Sequence, residues 1–526
     1  MRSSVPAFLS FGLLAAVALT GCLDGGDDGD GSGAGGAPLA FRDDWAEAAL
    51  PYGEGHDHYD PVHHRGLSTP NFQEVGWDPL ISEYYGRSAG GYLCGDSVDN
   101  GEKRLAAVHG FGTDVAFQLV DVTDGANPVP LGEYVLPRSA ARDVALTPDG
   151  HHVAIAISVP DEGPTPLPAG LAAAPSPVPD TPVQATWRSV CAPGGVPVGP
   201  EQEAPYAPGV MLVNIDDMAA PRMASYYPLP VSGAHSIYAG ELAGRTLVIA
   251  AVHNVAAAAS IFYFFEVTES GLGLLSVYRE PVTTGNAPVV NGHNDAVVQE
   301  HPVTGQPLAY LANWHQGVII LDLTDPRSPQ RIGGWSDSQG VGNADIVQDG
   351  HGNVHEAIPI TGLWGGRHYT VVGQEILDHP VATPSGLVHV LDTTDPTDPT
   401  PVATWTLPVD VEWEEGGIFS THYVSIHNST MFVAHYHAGV WAVDLSGFLD
   451  GDISEADRTP PAVGVYLPTN ASPKPPPKSS YDWAPTIMDV NSIGNGDLVV
   501  WDCTSGIYVV HYDDSQPAPP RVFQWN

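Results

Sequence analysis

The chain has 526 residues, with 61 acidic side chains, 19 basic ones and a formal net charge of -42. Such a field repels polyanions, so nucleic acids and anionic lipid surfaces are excluded as expected partners. The same charge is typical of a solvated acidic surface, and it also attracts divalent cations. Beyond the N-terminus, no stretch is long and apolar enough to predict a membrane-spanning helix.

The N-terminus has the features of a secretory signal. Met1-Arg2 precedes an apolar run from Val5 to Leu19, and Leu19-Thr20-Gly21-Cys22 follows. The last four residues resemble the bacterial lipobox, which implies that 1–21 are a lipoprotein signal peptide and that Cys22 is lipidated. An ordinary signal that happens to contain Cys22 is the alternative. We therefore expect an exported protein, lipid-anchored to the bacterial cell envelope at the outer membrane or cell surface.

Two further segments precede the main part of the chain. Residues 22–39 are rich in Gly and Asp, a composition that buries little apolar surface and predicts a flexible tether. Residues 40–86 form a His-rich extension containing His56-Asp-His58-Tyr-Asp60-Pro-Val-His63-His64. This cluster is predicted to be a mobile segment, with metal binding or closure over a channel mouth as alternatives.

Seven copies of one hairpin pattern organise the rest of the chain. Phe117-Gln-Leu-Val-Asp-Val-Thr-Asp returns in Gly317-Val-Ile-Ile-Leu-Asp-Leu-Thr-Asp-Pro and in Leu387-Val-His-Val-Leu-Asp-Thr-Thr-Asp-Pro. Weaker copies begin near Val210, Ile261, Gly439 and Gly506. Each copy joins a β-branched and aromatic run to an Asp/Thr/Pro turn and a second apolar run, which predicts a hairpin. Two further strand-like runs precede most copies, so the unit has four strands.

Four-stranded units that repeat in this way bury both faces when they pack around an axis, which predicts an all-β propeller with seven blades. The hairpin pattern resembles the LVIVD repeat family, which implies the same fold. We place the propeller at 87–526, with insertions at 158–208 and 450–480, and expect a monomer. Six or eight blades, or a pair of β-sandwiches, are the alternatives.

The histidines follow the repeat in two sets. One set opens the first strand of successive units, and the other closes the second strand. Because adjacent antiparallel strands run in opposite directions, the start of one meets the end of the next, so both sets are predicted to converge at one end of the channel. The candidate ligands are His235, His293, His315, His355, Glu375, His422 and His435.

Imidazoles beside a carboxylate suit a transition metal, and we name Cu or Zn as the candidate cofactor. A ligand such as His355 needs an acceptor such as Glu356 or Asp295 to fix its tautomer. The alternative is that these histidines hydrogen-bond strand ends and neighbouring blades. Where the second unit departs from the pattern it has Arg142-Asp143, and the seventh has Asp502-Cys503, groups that bind a polar ligand or pair with one another.

Two hypotheses for the function stay open. Propellers of the selenium-binding and methanethiol oxidase type are similar in placing histidines around the axis, which implies a metal-dependent oxidation with Glu375 or Glu356 as proton acceptor. The other hypothesis is a scaffold that binds an envelope protein or a polysaccharide. Three cysteines follow Cys22, and we predict a disulfide between Cys94 and Cys191 that leaves Cys503 over.

Overall fold

The structure is a computed structural model that describes residues 68–83, 87–88, 92–110, 115–136, 140–158, 208–229, 233–252, 259–281, 295–314, 316–336, 354–375, 386–407, 420–454, 456–468, 486–503 and 505–516. These residues form seven four-stranded antiparallel sheets and one small hairpin. The predicted all-β, seven-bladed propeller is confirmed. The predicted signal peptide, tether and His56–His64 cluster lie outside the described residues.

Within each of the first six blades, strands adjacent in the chain are adjacent in the sheet. Blade 1 contains β4 (Tyr92–Asp99), β5 (Arg104–Gly110), β6 (Val115–Asp121) and β7 (Val129–Val135). Blade 2 contains β8 (Ala140–Leu146), β9 (His152–Ser158), β10 (Gly209–Asn214) and β11 (Arg222–Pro228). Blade 3 contains β12 (Ala234–Leu242), β13 (Arg245–Val252), β14 (Ala259–Thr268) and β15 (Gly271–Pro281).

The next three blades repeat this order. Blade 4 contains β16 (Ala296–Glu300), β17 (Pro307–Ala312), β18 (Val318–Asp322) and β19 (Gln330–Trp335). Blade 5 contains β20 (Val354–Pro359), β21 (Tyr369–Gln374), β22 (Val388–Asp392) and β23 (Thr400–Trp405). Blade 6 contains β24 (Val424–His427), β25 (Thr430–Ala434), β26 (Val440–Asp444) and β27 (Ala462–Tyr466), with 3-10 turns at Ser446–Phe448 and Ala456–Arg458.

Blade 7 joins the two ends of the described chain. It contains β28 (Ile487–Gly494), β29 (Asp497–Asp502), β30 (Gly506–Tyr512) and, as its outermost strand, β1 (Phe72–Asp78). A two-stranded hairpin, β2 (Ile81–Ser82) with β3 (Arg87–Ser88), follows β1. Our sequence boundary at residue 87 places β1 in the N-terminal extension, whereas in the structure it completes the last blade.

The residues just before β1 fasten the same junction. Thr69 donates its N–H to the Val465 carbonyl at 2.9 Å and accepts the Val465 N–H at 3.0 Å, so the segment runs along the outer edge of blade 6. The Asn71 amide donates to the Val463 carbonyl at 2.8 Å. Residues 68–78 therefore hold blades 6 and 7 together from outside.

The hairpin pattern marks the third and fourth strands of the first six blades, and in blade 7 it marks the third strand, β30. In blade 4, for example, Asp322 accepts the Thr324 N–H at 2.7 Å and Asp325 accepts the Arg327 N–H at 3.1 Å, which builds the turn between β18 and β19. The register between β18 and β19 then shifts at Ile320/Leu321, and the outer pair of every other blade has a similar shift. The Asp-rich motif thus sets a turn.

Seven apolar clusters form the core, one at each junction between neighbouring blades. At the junction of blades 5 and 6, Trp405 and Val390 pack with Met431 and Trp441, all nearly inaccessible to solvent. Each such side chain contributes roughly 1.5–3 kcal/mol on burial. Within the described residues, no helix has the length and apolar character needed to cross a bilayer.

The first strand of each blade contacts the first strands of both neighbours, so seven strands line the central channel. In four of them the register with the second strand skips one residue near the start, at Arg142, His235, His355 and Met488. Such bulges turn a side chain out of the regular alternation. They therefore redirect side chains at one end of the channel.

Candidate metal centre between blades 5 and 6

Three predicted ligands come together at the junction of blades 5 and 6. His355 is the bulge residue of β20, His422 comes just before β24, and Glu375 comes directly after β21. One ligand atom from each lies within 4.8 Å of the others, and all three residues are buried. The starts of the first strands β20 and β24 and the end of the second strand β21 therefore meet here.

The carboxylate of Glu375 lies between the two imidazoles. His355 Nε2 is 3.9 Å from Glu375 Oε2, and His422 Nε2 is 3.7 Å from Glu375 Oε1. Both distances are too long for a hydrogen bond. Ligand atoms around a tetrahedral ion with bonds of ~2.1 Å are separated by about 3.4 Å, so small side-chain rotations close this set around an ion.

The tautomer of His422 is set by a backbone carbonyl. Its Nδ1 lies 2.5 Å from the Met488 carbonyl oxygen, which only accepts, so Nδ1 carries the hydrogen and the Nε2 lone pair faces Glu375. Burial lowers the pKa of His422 to about 4, which keeps the imidazole neutral. A neutral imidazole oriented through its other nitrogen is the form that binds metals.

Glu375 is buried beside the two imidazoles. Burial raises its pKa to about 8, although the Tyr436 hydroxyl donates a hydrogen bond to Oε1 and opposes that rise. At neutral pH the carboxyl therefore keeps a proton unless a cation replaces it. The site can hold either a proton or a metal ion.

Aromatic rings surround the three ligands. The rings of His355 and His422 are 4.6 Å apart, and Tyr423 meets both edge-on at 5.0 and 4.8 Å. Tyr436 lies 5.1 Å from His422, and Trp314 lies 6.3 Å from His355. These rings limit the access of water, which strengthens the interaction of a bound ion with the carboxylate.

Two of these aromatic residues have strained backbones. Trp314 has φ 45° and Tyr436 has φ 38°, in the left-handed region that aromatic side chains seldom adopt. Each follows the second strand of its blade and bridges to the next blade, Trp314 to Val354 and Tyr436 to Ile487. Such strain is typical of functional sites, where neighbouring structure holds it.

Two of the other four candidate ligands are described, and both lie outside this group. His235 is half-buried in the bulge of blade 3, and His435 is buried with its ring 6.2 Å from Trp405. His293 and His315 lie outside the described residues. The predicted convergence is thus found at one junction, with three of the seven candidates.

The predicted acceptors Glu356 and Asp295 serve the backbone. Glu356 accepts the Val424 N–H of blade 6, and Asp295 accepts the Ala296 N–H. Asp143 similarly accepts the Ile237 N–H of blade 3, and Asp489 accepts the Gly95 N–H of blade 1. At three of the four bulges, the carboxylate that follows the bulge residue therefore links two blades.

The polar residues that break the histidine pattern are also used within the fold. Arg142 donates to the Ser158 hydroxyl at 2.7 Å, and Asp502 accepts the Thr486 N–H at 2.9 Å. Cys503 is a buried thiol. Cys191 and the side chain of Cys94 lie outside the described residues, so their disulfide stays a prediction.

A second buried histidine pair lies at the junction of blades 4 and 5. His301 and His368 have ring centroids 4.8 Å apart. His301 reaches the Thr393 carbonyl at 2.9 Å and the Thr304 hydroxyl at 3.1 Å, and His368 reaches the Ile360 carbonyl at 3.2 Å and the Thr393 hydroxyl at 2.9 Å. All four ring nitrogens are used in hydrogen bonds, so this pair is architectural.

Three parts of the candidate metal centre were missed by sequence reasoning: Tyr436, Trp314 and the Met488 carbonyl. Tyr436 stands between His435 and His437, and Trp314 directly precedes His315. The aromatic residue inside each histidine motif is a usable signal. A backbone carbonyl 66 residues from His422 leaves no signal of its own.

Comparisons with known proteins assign no family to this chain. No protein family matches the sequence, and no curated protein matches it. The structure is similar to the crystal structure of Saccharomyces cerevisiae Sqt1 with a TM-score of 0.45 and 7% identity, over 85% of this chain and all of that one. The strands of this chain define it as a seven-bladed β-propeller.

Proposed function

We propose that this protein is a lipid-anchored propeller of the bacterial envelope that binds one transition-metal ion, Zn²⁺ or Cu²⁺, through His355, Glu375 and His422. One observation carries the metal site. Two buried imidazole Nε2 atoms and a buried carboxylate face one another at 3.7–3.9 Å, beyond hydrogen-bond distance. The fold directs three potential metal ligands at one point, and a cation or a proton between them offsets the cost of burying them there.

The ligand set favours a particular kind of metal site. Two imidazoles and one carboxylate suit Zn²⁺ and Cu²⁺ better than Ca²⁺ or Mg²⁺, which take oxygen ligands. Three protein ligands leave a coordination position open, as in catalytic zinc sites, whereas structural zinc sites use four. Around a bound ion, Tyr436 would orient Glu375, and the Met488 carbonyl would orient His422.

The test is metal content. Purified protein carrying the whole mature chain is loaded with Zn²⁺ or Cu²⁺, desalted and analysed by mass spectrometry of the elements. We expect one metal per chain in wild type and less than about a tenth of that in His355→Ala and His422→Ala, because removal of one of three ligands weakens the site by orders of magnitude.

His235→Ala is the matched control, since His235 occupies the equivalent bulge in blade 3. Its metal content should equal that of wild type. Equal metal in all four proteins, or none in the wild type with the fold intact by circular dichroism, would reject the site.

The lipid anchor has a separate support and a separate test. The lipobox resemblance of Leu19-Thr20-Gly21-Cys22 supports it. Expression in bacteria with a labelled fatty acid should label the wild-type protein and leave Cys22→Ala unlabelled. Label in the variant would place the modification elsewhere.

A further inference from the structure

A groove lies at the other end of the two strands that carry the metal ligands. The residues Ile358 and Ile360 of blade 5 and Ile426 and Asn428 of blade 6 line it, together with Trp364. It encloses about 640 Å³, within the usual range of small-ligand sites. His355 and Ile358 are three residues apart on β20, so roughly 10 Å separate the two ends.

No charged side chain lines the groove among the described residues. The chain has a net charge of -42, so its surface field repels anions and attracts cations. A cationic ligand is held best beside carboxylates, and the groove presents none. Its occupant is therefore expected to be uncharged.

The lining combines an apolar wall with polar groups. The isoleucines face the groove together with the amides of Asn428 and Asn491 and the hydroxyl of Ser425. The Ser425 oxygen accepts the Ser492 N–H at 3.0 Å, so its own hydrogen can point elsewhere. Such a surface suits a ligand with apolar and hydroxyl faces side by side.

The indole wall is fixed in place. Trp364 and Arg367 exchange backbone hydrogen bonds at 2.9 Å, and the Arg367 guanidinium binds Asp392 at 2.5 Å. Gly365 lies so close to Gly451 that a Cβ on it would be 2.0 Å from the Gly451 nitrogen. The Trp364 ring lies 6.3 Å from Tyr369. A rigid wall of this kind reduces the entropic cost of binding.

We infer that this groove binds a neutral saccharide, with Trp364 against the C–H face of one sugar ring and the amides and hydroxyl on its hydroxyl groups. Saccharides present an apolar face and a rim of hydroxyls without charge, which matches the lining. The inference is independent of the metal site, because no ligand of that site lines the groove.

Exposed leucines define the competing interpretation. Leu363 is 45% exposed and Leu449 is 47% exposed, and both lie at this end of blades 5 and 6. If the region were a docking surface for an apolar protein segment, both leucines would contribute. The saccharide interpretation instead requires Trp364 and the polar groups.

The experiment uses the full mature protein, treated with chelator, on an array of neutral and acidic glycans, followed by calorimetry with the neutral glycan that binds best. We expect a neutral oligosaccharide to bind, and Trp364→Ala to weaken it at least tenfold. Thr361→Arg, a change at an exposed position of the lining, should block binding without touching the core. Leu363→Ala is the control and should bind as wild type.

The inference is overturned if the array shows no neutral glycan bound, or if acidic glycans alone bind. It is also overturned if the bound glycan is insensitive to both Trp364→Ala and Thr361→Arg in variants whose circular dichroism matches wild type. Loss of glycan binding in Leu363→Ala, with Trp364→Ala unaffected, would place the contact outside the groove and overturn the inference.

Discussion

Two pairs of buried histidines lie at neighbouring junctions of the propeller, and they differ in one respect. His301 and His368 have ring centroids 4.8 Å apart, and His355 and His422 have theirs 4.6 Å apart. The first pair uses every ring nitrogen in hydrogen bonds to hydroxyls and carbonyls. The second directs two Nε2 atoms at a carboxylate beyond hydrogen-bond distance. Both pairs are buried and closely spaced, and the buried carboxylate that the second pair faces distinguishes the candidate ligand pair from the architectural pair.

The largest effect should come from removing an architectural histidine, which tests whether the two pairs have different roles. His368→Ala removes hydrogen bonds to Ile360 and Thr393 and leaves a buried gap. We expect the free energy of unfolding to fall by about 3 kcal/mol, measured by urea denaturation, with metal content unchanged. Metal loss in a folded His368→Ala protein would show that the two pairs are not distinct.

The next largest effect should come from Glu375→Gln. Burial raises the pKa of Glu375 from 4.5 to about 8, so at pH 7 the unfolded chain has lost a proton that the metal-free folded protein keeps. This group costs stability as pH rises from 4.5 toward 8. We expect the variant to be more stable than metal-free wild type by about 2–3 kcal/mol at pH 7.

Metal should raise the Tm of wild type and leave that of Glu375→Gln unchanged, as followed by calorimetry with and without chelator. The exposed Glu300→Gln serves as control, and its stability should match wild type. A Glu375→Gln protein less stable than metal-free wild type would mean that the carboxylate supports the fold.

A third prediction concerns acid, and it tests another architectural histidine. His109 donates its Nε2–H to the Ala141 carbonyl at 2.7 Å, because a carbonyl oxygen only accepts, so that nitrogen carries the hydrogen. Burial lowers the pKa of His109 from 6.5 to about 4. Between these values the unfolded chain binds a proton that the folded protein does not, so stability falls as pH is lowered.

This single imidazole should account for about 2 kcal/mol of the loss between pH 7 and pH 5. His109→Asn, which keeps a donor for the Ala141 carbonyl, should lose that much less over the same interval in urea titrations. The contribution of other groups cancels in the difference. Parallel curves for the two proteins would contradict the prediction.

The smallest effect should come from Tyr436→Phe. The change removes the hydroxyl that donates to Glu375 and keeps the ring beside His422. Loss of a group that orients a ligand typically weakens metal binding by 10–100-fold, and we expect about tenfold here, from competition with a metal-binding dye. Tyr423→Phe retains its edge-on ring contacts and should bind like wild type. Equal affinities for all three proteins would show that Tyr436 does not contribute to metal binding.

The fold was predictable because its signals are local. Each third strand and its Asp-rich turn repeat in the sequence, from Phe117 to Gly506, and antiparallel pairing then places first-strand starts beside second-strand ends. That rule predicted that His355, Glu375 and His422 lie close together, and in the structure they do. Strand β1 has no such repeat pattern, so its role in blade 7 depends on a partner more than 400 residues away.

The sequence did not predict which histidines are candidate ligands and which ones form structural hydrogen bonds. Whether a ring nitrogen is engaged depends on which carbonyl or hydroxyl the fold brings to it, such as Met488 for His422 or Thr393 for His301. These partners are distant in sequence and lack any motif. Both earlier interpretations, ligands and blade links, therefore apply, each to different histidines, with the ligand role resting on the proposed function.

The pairing of β1 with β30 also dictates when the protein can finish folding. Phe72 pairs with Tyr512, so blade 7 cannot close until strands from both ends of the described chain are available. Until then the apolar junctions of the first and last blades stay open to other chains. Long-range closure of this kind is slow and exposes unpaired strand edges. Truncation by a few residues within β30 should therefore be more damaging than the loss of many from a loop.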